Sequence, residues 1–291
     1  MSSALAICHG AFGRATLYRL DRAMLTHAHR EGHLVFFLEG EPATLLVDGR
    51  PQPTGRDVAV AIDPWAPHAH RPAAPGAAGL FLVLYVRPDW FAATSGLGAG
   101  TLRFGSPRIE LSGSLEGRIR RVVALLAEPR GDGRLEDALL ELTAACFERS
   151  WQGVSPAPAS ARRGPIDFRV RRAMRLIGER FADDLSFDRV AREAGLSRPH
   201  FYKMFRDQLG LTPALYLDLL RVEAALDRLL ASDRSVTEIG HELGFACQSS
   251  FTRFFTAHVG PSPSEYRRRA RLLGTRDFQT RCYGREGAFA R

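Results

Sequence analysis

The stretch from Ser186 to Tyr266 contains the same helical module twice, and this repeat constrains the fold more than any other feature of the sequence. Four positions recur fifty residues later and two recur forty-nine residues later, so the second copy has one additional residue in its turn. Such self-similarity indicates two structurally equivalent units. The recurring pairs are Phe201 and Phe251, Phe205 and Phe255, Gly210 and Gly260, Pro213 and Pro263, Ala191 and Gly240, and Gly195 and Gly244.

Each copy is predicted to form a helix, a short turn and a second helix. In the first copy Gly195 ends the first helix, because glycine adopts the left-handed conformation at little cost. Ser197 is the candidate cap of the helix that follows. That helix carries apolar residues at three- and four-residue spacing, which predicts a buried stripe: Phe201, Met204, Phe205 and Leu209.

The polar faces of the two second helices suit DNA bases. Arg and Lys donate to guanine, Gln pairs with adenine, and Ser or Thr meets a base or a phosphate. One such pattern alone would more often be a solvated surface, but two capped copies joined by a helix favour DNA binding. The predicted DNA-reading residues are Arg198, Pro199, Tyr202, Lys203 and Arg206 in the first copy, and Gln248, Ser249, Thr252 and Arg253 in the second.

Residues 167–271 resemble the DNA-binding domain of the AraC/XylS family of bacterial transcription regulators. The most specific part is the second copy, VTEIGHELGFACQSSFTRFFTAHVGPSPSEYRR. The resemblance implies a cytoplasmic homodimer that binds double-stranded DNA and contacts RNA polymerase. An activator is expected, although the residues do not decide the sign of regulation. Pro199 and Tyr202 are unusual at the reading positions, which leaves the operator sequence open.

Residues 1–112 contain short apolar runs separated by Gly, Pro and Asp, which is typical of an all-β barrel or sandwich. The order HAHREGHLVFFLEG, VDG and GRDVAVAIDPWAPH resembles the cupin pattern, a small jelly-roll barrel. The resemblance implies a domain that senses a small molecule. Phe36, Trp65, Phe81 and Tyr85 are candidate pocket residues, and core packing is the alternative use of each.

Four histidines of this region fit the metal-binding motifs of cupins. His27 and His29 match the first motif, His33 stands where those proteins have an acid, and His68 fits the second motif. Because positions 27, 29 and 33 differ by even numbers, one strand would point all three side chains into the barrel. Neutral imidazoles bind Zn, Ni, Cu or Fe(II). The alternative is four histidines that are satisfied by hydrogen bonds and water.

The remaining segments are predicted to connect and pair these regions. Residues 113–150 form a helical hairpin, which is a candidate dimerisation element or a cover for the barrel. Residues 151–165 are rich in Pro, Ala, Ser and Arg and are predicted to be a linker. Residues 166–273 form the DNA-binding domain, and the tail 274–291 has no periodicity. Arg171, Arg172, Arg221 and the arginines of 267–271 are candidate phosphate contacts.

Composition agrees with these assignments. The net charge of +8 and the pI of about 9.9 suit a polyanionic partner. No apolar run reaches the length of a membrane span, and the N-terminus lacks a basic segment followed by an apolar one, so we expect no membrane partner. The cysteines lack metal-site spacing and are expected to be reduced; they are Cys8, Cys146, Cys247 and Cys282.

The sequence therefore predicts an α+β multidomain protein with a cupin-like barrel and an all-α domain of two helix-turn-helix motifs. The predicted function is transcription regulation under the control of a small-molecule effector, without catalysis. The competing hypothesis is a metal-dependent cupin enzyme with a helical appendage, motivated by the four histidines. Metal content and turnover on candidate substrates separate the two hypotheses.

Overall fold

The computed structural model describes residues 2–96, 102–128, 133–154 and 166–273. Most of the predicted linker, the whole predicted tail and Cys282 therefore lie outside the described residues. Within these ranges a sheet-rich region precedes a helical one. No helix in the described parts of the chain is both long and apolar enough to span a membrane.

Nine strands lie in the described part of the sheet-rich region, and a tenth is contributed from beyond α10. The strands are β1 Ser3–Gly10, β2 Gly13–Leu20, β3 Gly32–Gly40, β4 Ala43–Val47, β5 Arg50–Pro53, β6 Val58–Ile62, β7 His68–Pro72, β8 Gly79–Val86, β9 Arg108–Glu110 and β10 Ala270–Leu272.

Two sheets result from the pairing of these strands. Seven strands pair in the order β10-β1-β2-β8-β3-β6-β9, and three pair in the order β5-β4-β7. Every pairing is antiparallel except that of β10 with β1. Arg14 of β2 and His33 of β3 both lie opposite Tyr85 of β8. Residues in register on neighbouring strands share one face of a sheet, so this face carries all three side chains.

The opposite face of the seven-stranded sheet is covered by helices. After α1 (Pro88–Thr94), helices α2 (Gly113–Ala127) and α3 (Gly133–Ser150) pack against it. Leu82 and Leu84 of β8, Val122 of α2 and Leu142 of α3 are completely or almost completely buried in this core. The helical hairpin thus covers the sheet, which is one of the two roles predicted for it. The other role, dimerisation, stays a prediction.

Between residues 166 and 273 the chain forms seven helices. They are α4 Phe168–Glu179, α5 Phe187–Glu193, α6 Arg198–Leu209, α7 Pro213–Ala231, α8 Val236–Glu242, α9 Gln248–Val259 and α10 Pro263–Arg269. Helices α5 and α6 form the first helix-turn-helix unit, α8 and α9 form the second, and α7 joins the two units. The boundaries agree with the repeat detected in the sequence.

Capping bonds explain where several of these helices begin. The Thr212 hydroxyl accepts from a backbone N–H at the start of α7. Ser235 and Glu238 form a complete capping box at α8, with bonds of 3.1 and 2.7 Å. Ser197 occupies the cap position of α6 but its side chain makes no capping bond, so the predicted role of its hydroxyl is wrong.

The second helix-turn-helix unit shares a core with the inner face of the barrel. Phe255 and Val259 of α9 and Tyr266 of α10 are buried in the same cluster as Ile7 and Tyr18 of the sheet. The backbone joins the regions as well, because β10 pairs with β1 and the Leu273 N–H donates to the His9 carbonyl at 2.7 Å. The two regions are therefore packed together.

The Glu265 carboxylate adds a polar contact to this junction. The Ser262 hydroxyl accepts from the Glu265 N–H, which is one half of a capping box. The Glu265 Oε1 atom, however, accepts from the Ala4 N–H of β1 at 2.8 Å. A residue in the first turn of α10 thus bonds the helical region to the sheet.

The equivalent glycines Gly195 and Gly244 provide a matched test of packing in the two units. Both have positive φ, 73° and 84°. A Cβ on Gly244 would overlap the Ala182 carbonyl oxygen, whereas a Cβ on Gly195 would meet nothing within 4 Å. Gly195→Ala should lower the free energy of unfolding by about 1–2 kcal/mol through left-handed strain alone. Gly244→Ala should lower it further. Chemical denaturation measures both, and equal losses would contradict the close approach at Gly244.

Candidate DNA interface and histidine site

Helix α6 presents its predicted reading face to solvent. Its buried side is held by Phe201 and Phe205, which are completely inaccessible. On the outer side Tyr202 is half-buried, and the other four predicted residues are exposed: Arg198, Pro199, Lys203 and Arg206. Two of these cations form exposed ion pairs, Arg198 with Asp188 at 3.0 Å and Lys203 with Asp207 at 2.8 Å. Exposed pairs contribute little to stability, so both cations can exchange these partners for DNA.

Helix α9 exposes the equivalent face of the second unit. Gln248, Ser249 and Arg253 are exposed and Thr252 is half-buried. The Gln248 Oε1 atom accepts a hydrogen bond of 2.7 Å from the Thr237 hydroxyl, which fixes the amide at the start of the helix. Among the described residues Arg253 has no ion-pair partner. Its guanidinium is therefore available to a base or a phosphate.

Four of the arginines predicted to contact phosphates donate to backbone carbonyl groups, and they are Arg171, Arg221, Arg267 and Arg271. Arg221 donates from Nε to the Phe181 carbonyl at 2.8 Å. Arg271 donates to the carbonyls of Leu126 and Glu128 at the end of α2. The last carbonyl groups of a helix have no donor within the helix. Arg271 provides hydrogen bonds to two such groups at the end of α2. These bonds do not test contact with DNA, so the phosphate contacts of the arginines stay a prediction; Arg172 is exposed.

The histidines predicted to bind metal are brought together at one end of the barrel. Donor atoms of His27, His29 and His68 all lie within 4.8 Å of one another. The His33 ring stacks on His29 with centroids 4.7 Å apart and lies 4.6 Å from the His68 ring. All four side chains are buried. The structure thus contains a compact cluster of four imidazoles.

The route by which these residues meet differs from the expected single strand. Strand β3 begins at Gly32, so His33 lies on it while His27 and His29 precede it. His27 instead forms a two-bond bridge with His68, with N···O distances of 2.9 and 2.8 Å. The single-strand expectation is wrong because this bridge, which depends on a distant segment, directs the chain before β3.

The hydrogen bonds of the four imidazoles show which ring nitrogens remain free to bind a metal. Nδ1 of His27 lies 2.6 Å from the Leu25 carbonyl and Nδ1 of His68 lies 2.9 Å from the Ala66 carbonyl, so both donate there. Nε2 of His68 then carries a lone pair, and it has no partner among the described protein atoms. The Nε2 atoms of His29 and His33 also have no hydrogen-bond partner among the described protein atoms.

Burial lowers the pKa values of these imidazoles, because a low-dielectric interior disfavours the charged form. The pKa of His68 falls to about 4 for this reason. The pKa values of His27, His29 and His33 lie well below the usual value, first through burial and then through neighbouring charges. The cluster is therefore neutral at pH 7, the state that metal coordination requires.

A narrow cavity of about 40 Å³ adjoins the histidines inside the barrel. One water needs about 10–15 Å³ of such volume, so the cavity suits an ion with one or two waters rather than an organic molecule. Phe81 and Tyr85, two of the predicted pocket residues, line it, as do Tyr18 and His70, which the sequence analysis missed. The signal for His70 was its position two residues after His68, since alternate strand residues share a face.

The other two predicted pocket residues lie elsewhere. Phe36 is buried on the opposite face of the seven-stranded sheet, beneath α2 and α3. It alternates with the inward residues Val35 and Phe37, so strand geometry excludes it from the cavity. Trp65 packs against the core of the first helix-turn-helix unit. The pocket prediction is wrong for both.

The histidine cluster is close to a DNA-reading helix. The ring of His258, near the end of α9, lies 6.4 Å from that of His27. Two residues before His27, the Leu25 N–H donates to the Ala257 carbonyl of the same helix at 3.0 Å. The segment that carries two of the four histidines is thus bonded directly to α9.

Comparison with known proteins identifies the helical region. A family model described as a helix-turn-helix domain matches residues 190–269. The C-terminal region is a helix-turn-helix domain of the AraC family. This result confirms the resemblance inferred from the repeat.

Curated relatives match the same region. The transcriptional activator RhaS of Salmonella schwarzengrund is 33% identical over 101 residues, which cover 35% of this chain and 36% of the relative. The lactose operon transcription activator of Staphylococcus xylosus is 29% identical over 98 residues, which cover 34% and 35%. The chain thus spans about a third of the length of the curated relatives it matches.

Solved structures resemble both regions together. The fatty-acid-bound structure of ToxT from Vibrio cholerae has a TM-score of 0.56 at 14% identity, over 87% of this chain and 94% of that protein. A structure of ToxT from Vibrio cholerae O395 has a TM-score of 0.54 at 11% identity, over 88% and 96%. This similarity shows the fold, a sheet-rich region followed by a helical region, and it confirms the predicted fold class.

Arg253 provides a direct test of the reading face of α9. Arg253→Ala should weaken binding to a cognate duplex by about 1–3 kcal/mol and relax preference at one base pair, as loss of a bidentate base contact does. Fluorescence anisotropy with a set of single-base variants of the duplex measures both effects. Arg120→Ala, at an exposed position of α2, should change neither; an Arg253→Ala protein with unaltered affinity and preference would exclude this contact.

Cys247 reports on the start of the same helix. It is exposed at the cap position of α9, with Sγ 3.0 Å from the Ser249 hydroxyl and 3.2 Å from that of Ser250. Hydrogen bonds from these hydroxyls lower the pKa of the thiol to about 7. Burial instead raises the pKa values of Cys8 and Cys146, to about 11 and about 12.

Alkylation of Cys247 should therefore follow its thiolate. In a Cys282→Ser background, the rate of reaction with iodoacetamide should rise with pH and reach half its maximum near pH 7. Cognate duplex DNA should slow the reaction, because the thiol adjoins Gln248. Mass spectrometry locates the adduct, and Cys247→Ser is the control. A rate that saturating DNA leaves unaltered would contradict the placement of this helix against DNA.

Proposed function

We propose that this protein is a sequence-specific transcription regulator whose barrel senses a small molecule. The observation that carries the proposal is the pair of equivalent helix-turn-helix units with solvent-facing polar helices, packed against a domain with an interior cavity. Helix α7 holds α6 and α9 at one separation, which suits successive major grooves about 34 Å apart. Double-stranded DNA is thus the proposed partner of both helices.

The relatives support regulation by activation. RhaS and the lactose operon activator are named as activators and share the DNA-binding domain with this chain. ToxT, which has the same two-domain fold, has been crystallised with an unsaturated fatty acid. By analogy we propose an activator that works in the cytoplasm as a homodimer, binds a small organic effector in its barrel and contacts RNA polymerase.

The junction between the regions provides a physical path for control. The inner face of the sheet and the second helix-turn-helix unit share one core, so a ligand that displaces inner-face residues also displaces α9 or α10. A ligand shifts such an equilibrium only through different affinities for its two states. Because the cavity is small, an organic effector can bind only when the inner face opens. The effector would therefore have a higher affinity for the open state than for the closed state.

We further propose that His27, His29 and His68, with His33 beside them, hold a divalent transition metal such as Zn, Ni, Cu or Fe. The unpartnered Nε2 atoms and the lowered pKa values support this fit. The Leu25 and Ala66 carbonyls fix the ring tautomers, as outer-shell groups of metal sites do. When bound, the metal would supply positive charge to an oxygen donor of the effector. His27 would transmit occupancy to α9 through the neighbouring bond from Leu25.

A metal-dependent enzyme is the second candidate function, and the same histidine cluster is the observation that favours it. Turnover of candidate substrates by the metal-loaded protein would support this function. Regulation of transcription would instead require a preferred DNA sequence.

Selection of DNA fragments tests the main proposal. The full-length chain should enrich one sequence with two half-sites from random or genomic fragments, because each reading helix recognises one of them. A variant with both Lys203→Ala and Arg253→Ala should lose the enrichment while retaining its helical circular dichroism. Failure of the native chain to enrich any sequence above non-specific binding would overturn the proposal.

Metal content tests the histidine site separately. Tag-free protein reconstituted with Zn should retain about one equivalent per chain after desalting, since buried sites of this kind release metal slowly. His29→Gln and His68→Gln should each weaken retention about 10- to 100-fold, whereas His241→Gln, at an exposed position of α8, should not. Plasma mass spectrometry measures the content. Retention below about a tenth of an equivalent by the native protein would refute the site.

A further inference from the structure

Arg14 of β2 is a buried cation without an acidic partner. Its relative exposure is 6%, and among the described residues it forms no ion pair with a carboxylate. A guanidinium remains charged in proteins, and a buried charge that lacks a counter-charge is costly. The residue therefore calls for an explanation beyond packing.

The contacts of Arg14 leave one edge of the guanidinium open. Nη1 donates to the Tyr266 hydroxyl at 3.1 Å, and the guanidinium carbon lies 3.6 Å from the centre of the Tyr85 ring. The Tyr266 hydroxyl is held in turn by Nε2 of His9 at 2.7 Å. Nε of Arg14, in contrast, has no partner among the described protein atoms. Carboxylates bind such an edge through two parallel hydrogen bonds.

The surroundings of this edge indicate the class of ligand. The Tyr18 hydroxyl, on the same face of β2, is also buried without a partner and can donate to an anion. Tyr18 and Tyr85 also line the cavity, whose other residues include apolar ones such as Val83 and Phe81 and the neutral histidines. One buried cation beside a cavity of apolar residues and neutral imidazoles matches a ligand with one negative charge and a largely apolar body.

We propose that Arg14 anchors a monocarboxylate, with the charge on its Nε edge and the apolar body directed past Tyr18 and Tyr85 into the barrel. This inference rests on the proposed sensor role of the barrel and assigns the chemical class of its effector. The same guanidinium bonds Tyr266 of α10, so the ligand binds where the barrel meets the DNA-binding domain. Because the cavity is smaller than any such ligand, its entry must move the inner face against which Tyr266 packs.

Calorimetric titration of the full-length chain tests the ligand class. The probes are benzoate and octanoate, with benzamide and octanamide as matched neutral compounds and inorganic phosphate as a second anion. At least one carboxylate should bind, its amide should bind about tenfold more weakly or not at all, and phosphate should not bind, because a bidentate charged contact distinguishes them. Equal binding of acid and amide, or no binding of either carboxylate, would overturn the proposal.

Replacement of Arg14 tests the site. Arg14→Lys retains the charge but loses the planar fork, and should weaken carboxylate binding about tenfold; Arg14→Met should abolish it. Arg19→Met, on the same strand at an exposed position paired with Glu39, should bind as the native chain does. Circular dichroism establishes folding, and Arg14→Lys decides the matter if Arg14→Met does not fold. A folded Arg14→Lys protein with native affinity would overturn the site.

The DNA selection separates this inference from the function on which it rests. If the chain enriches one DNA sequence but binds no carboxylate, the anion site is wrong and the regulator stands. If carboxylates bind through Arg14 but no sequence is enriched, the site stands and the proposed regulator is wrong.

Discussion

The packing of the second helix-turn-helix unit onto the inner face of the barrel is the contact on which the rest of the structure depends. The three-stranded sheet covers only part of that face, and α9 and α10 bury much of what remains. Tyr266 and Phe255 are fully inaccessible as a result. The hydrophobic stability of either region thus includes area supplied by the other. A change inside the barrel reaches a DNA-reading helix through direct contact rather than through a chain of intermediates.

Local features of the sequence were sufficient to predict the helical region. Gly195, Thr212 and the Ser235 capping box act within a few residues, so helix ends of this kind depend on local sequence alone. The errors arose where a distant segment decides the outcome. The bridge from His27 to His68 replaced the expected single strand, and β10 has only three residues and no alternation to reveal it. Seven of the nine predicted DNA-reading residues are exposed and Tyr202 and Thr252 are half-buried; their contacts with bases stay a prediction.

The two polar sites inside the barrel differed in how visible they were to sequence analysis. The histidines stood out because imidazoles at motif spacing are uncommon in an apolar run. Arg14 did not, since an arginine on a strand ordinarily faces solvent. Its burial follows from the arrival of α10 above β2, which only the tertiary structure shows. The prediction that Phe36 lines the pocket was wrong for a related reason. Composition does not reveal which face of a strand points into the barrel.

The parallel pairing of β10 with β1 has a mechanical consequence. The DNA-binding region is joined to the barrel by the chain that enters at α4 and again by the hydrogen bonds of β10 beyond α10. A region that is attached at both ends can rotate about the line between the two attachment points, but it cannot pivot freely about one of them. The first unit, which meets the barrel mainly through Ala28 and Trp65, lies farther from the second attachment. Because α7 joins the two units, such a rotation would move α6 and α9 together, and it would alter the spacing that they present to DNA only when α7 also bends.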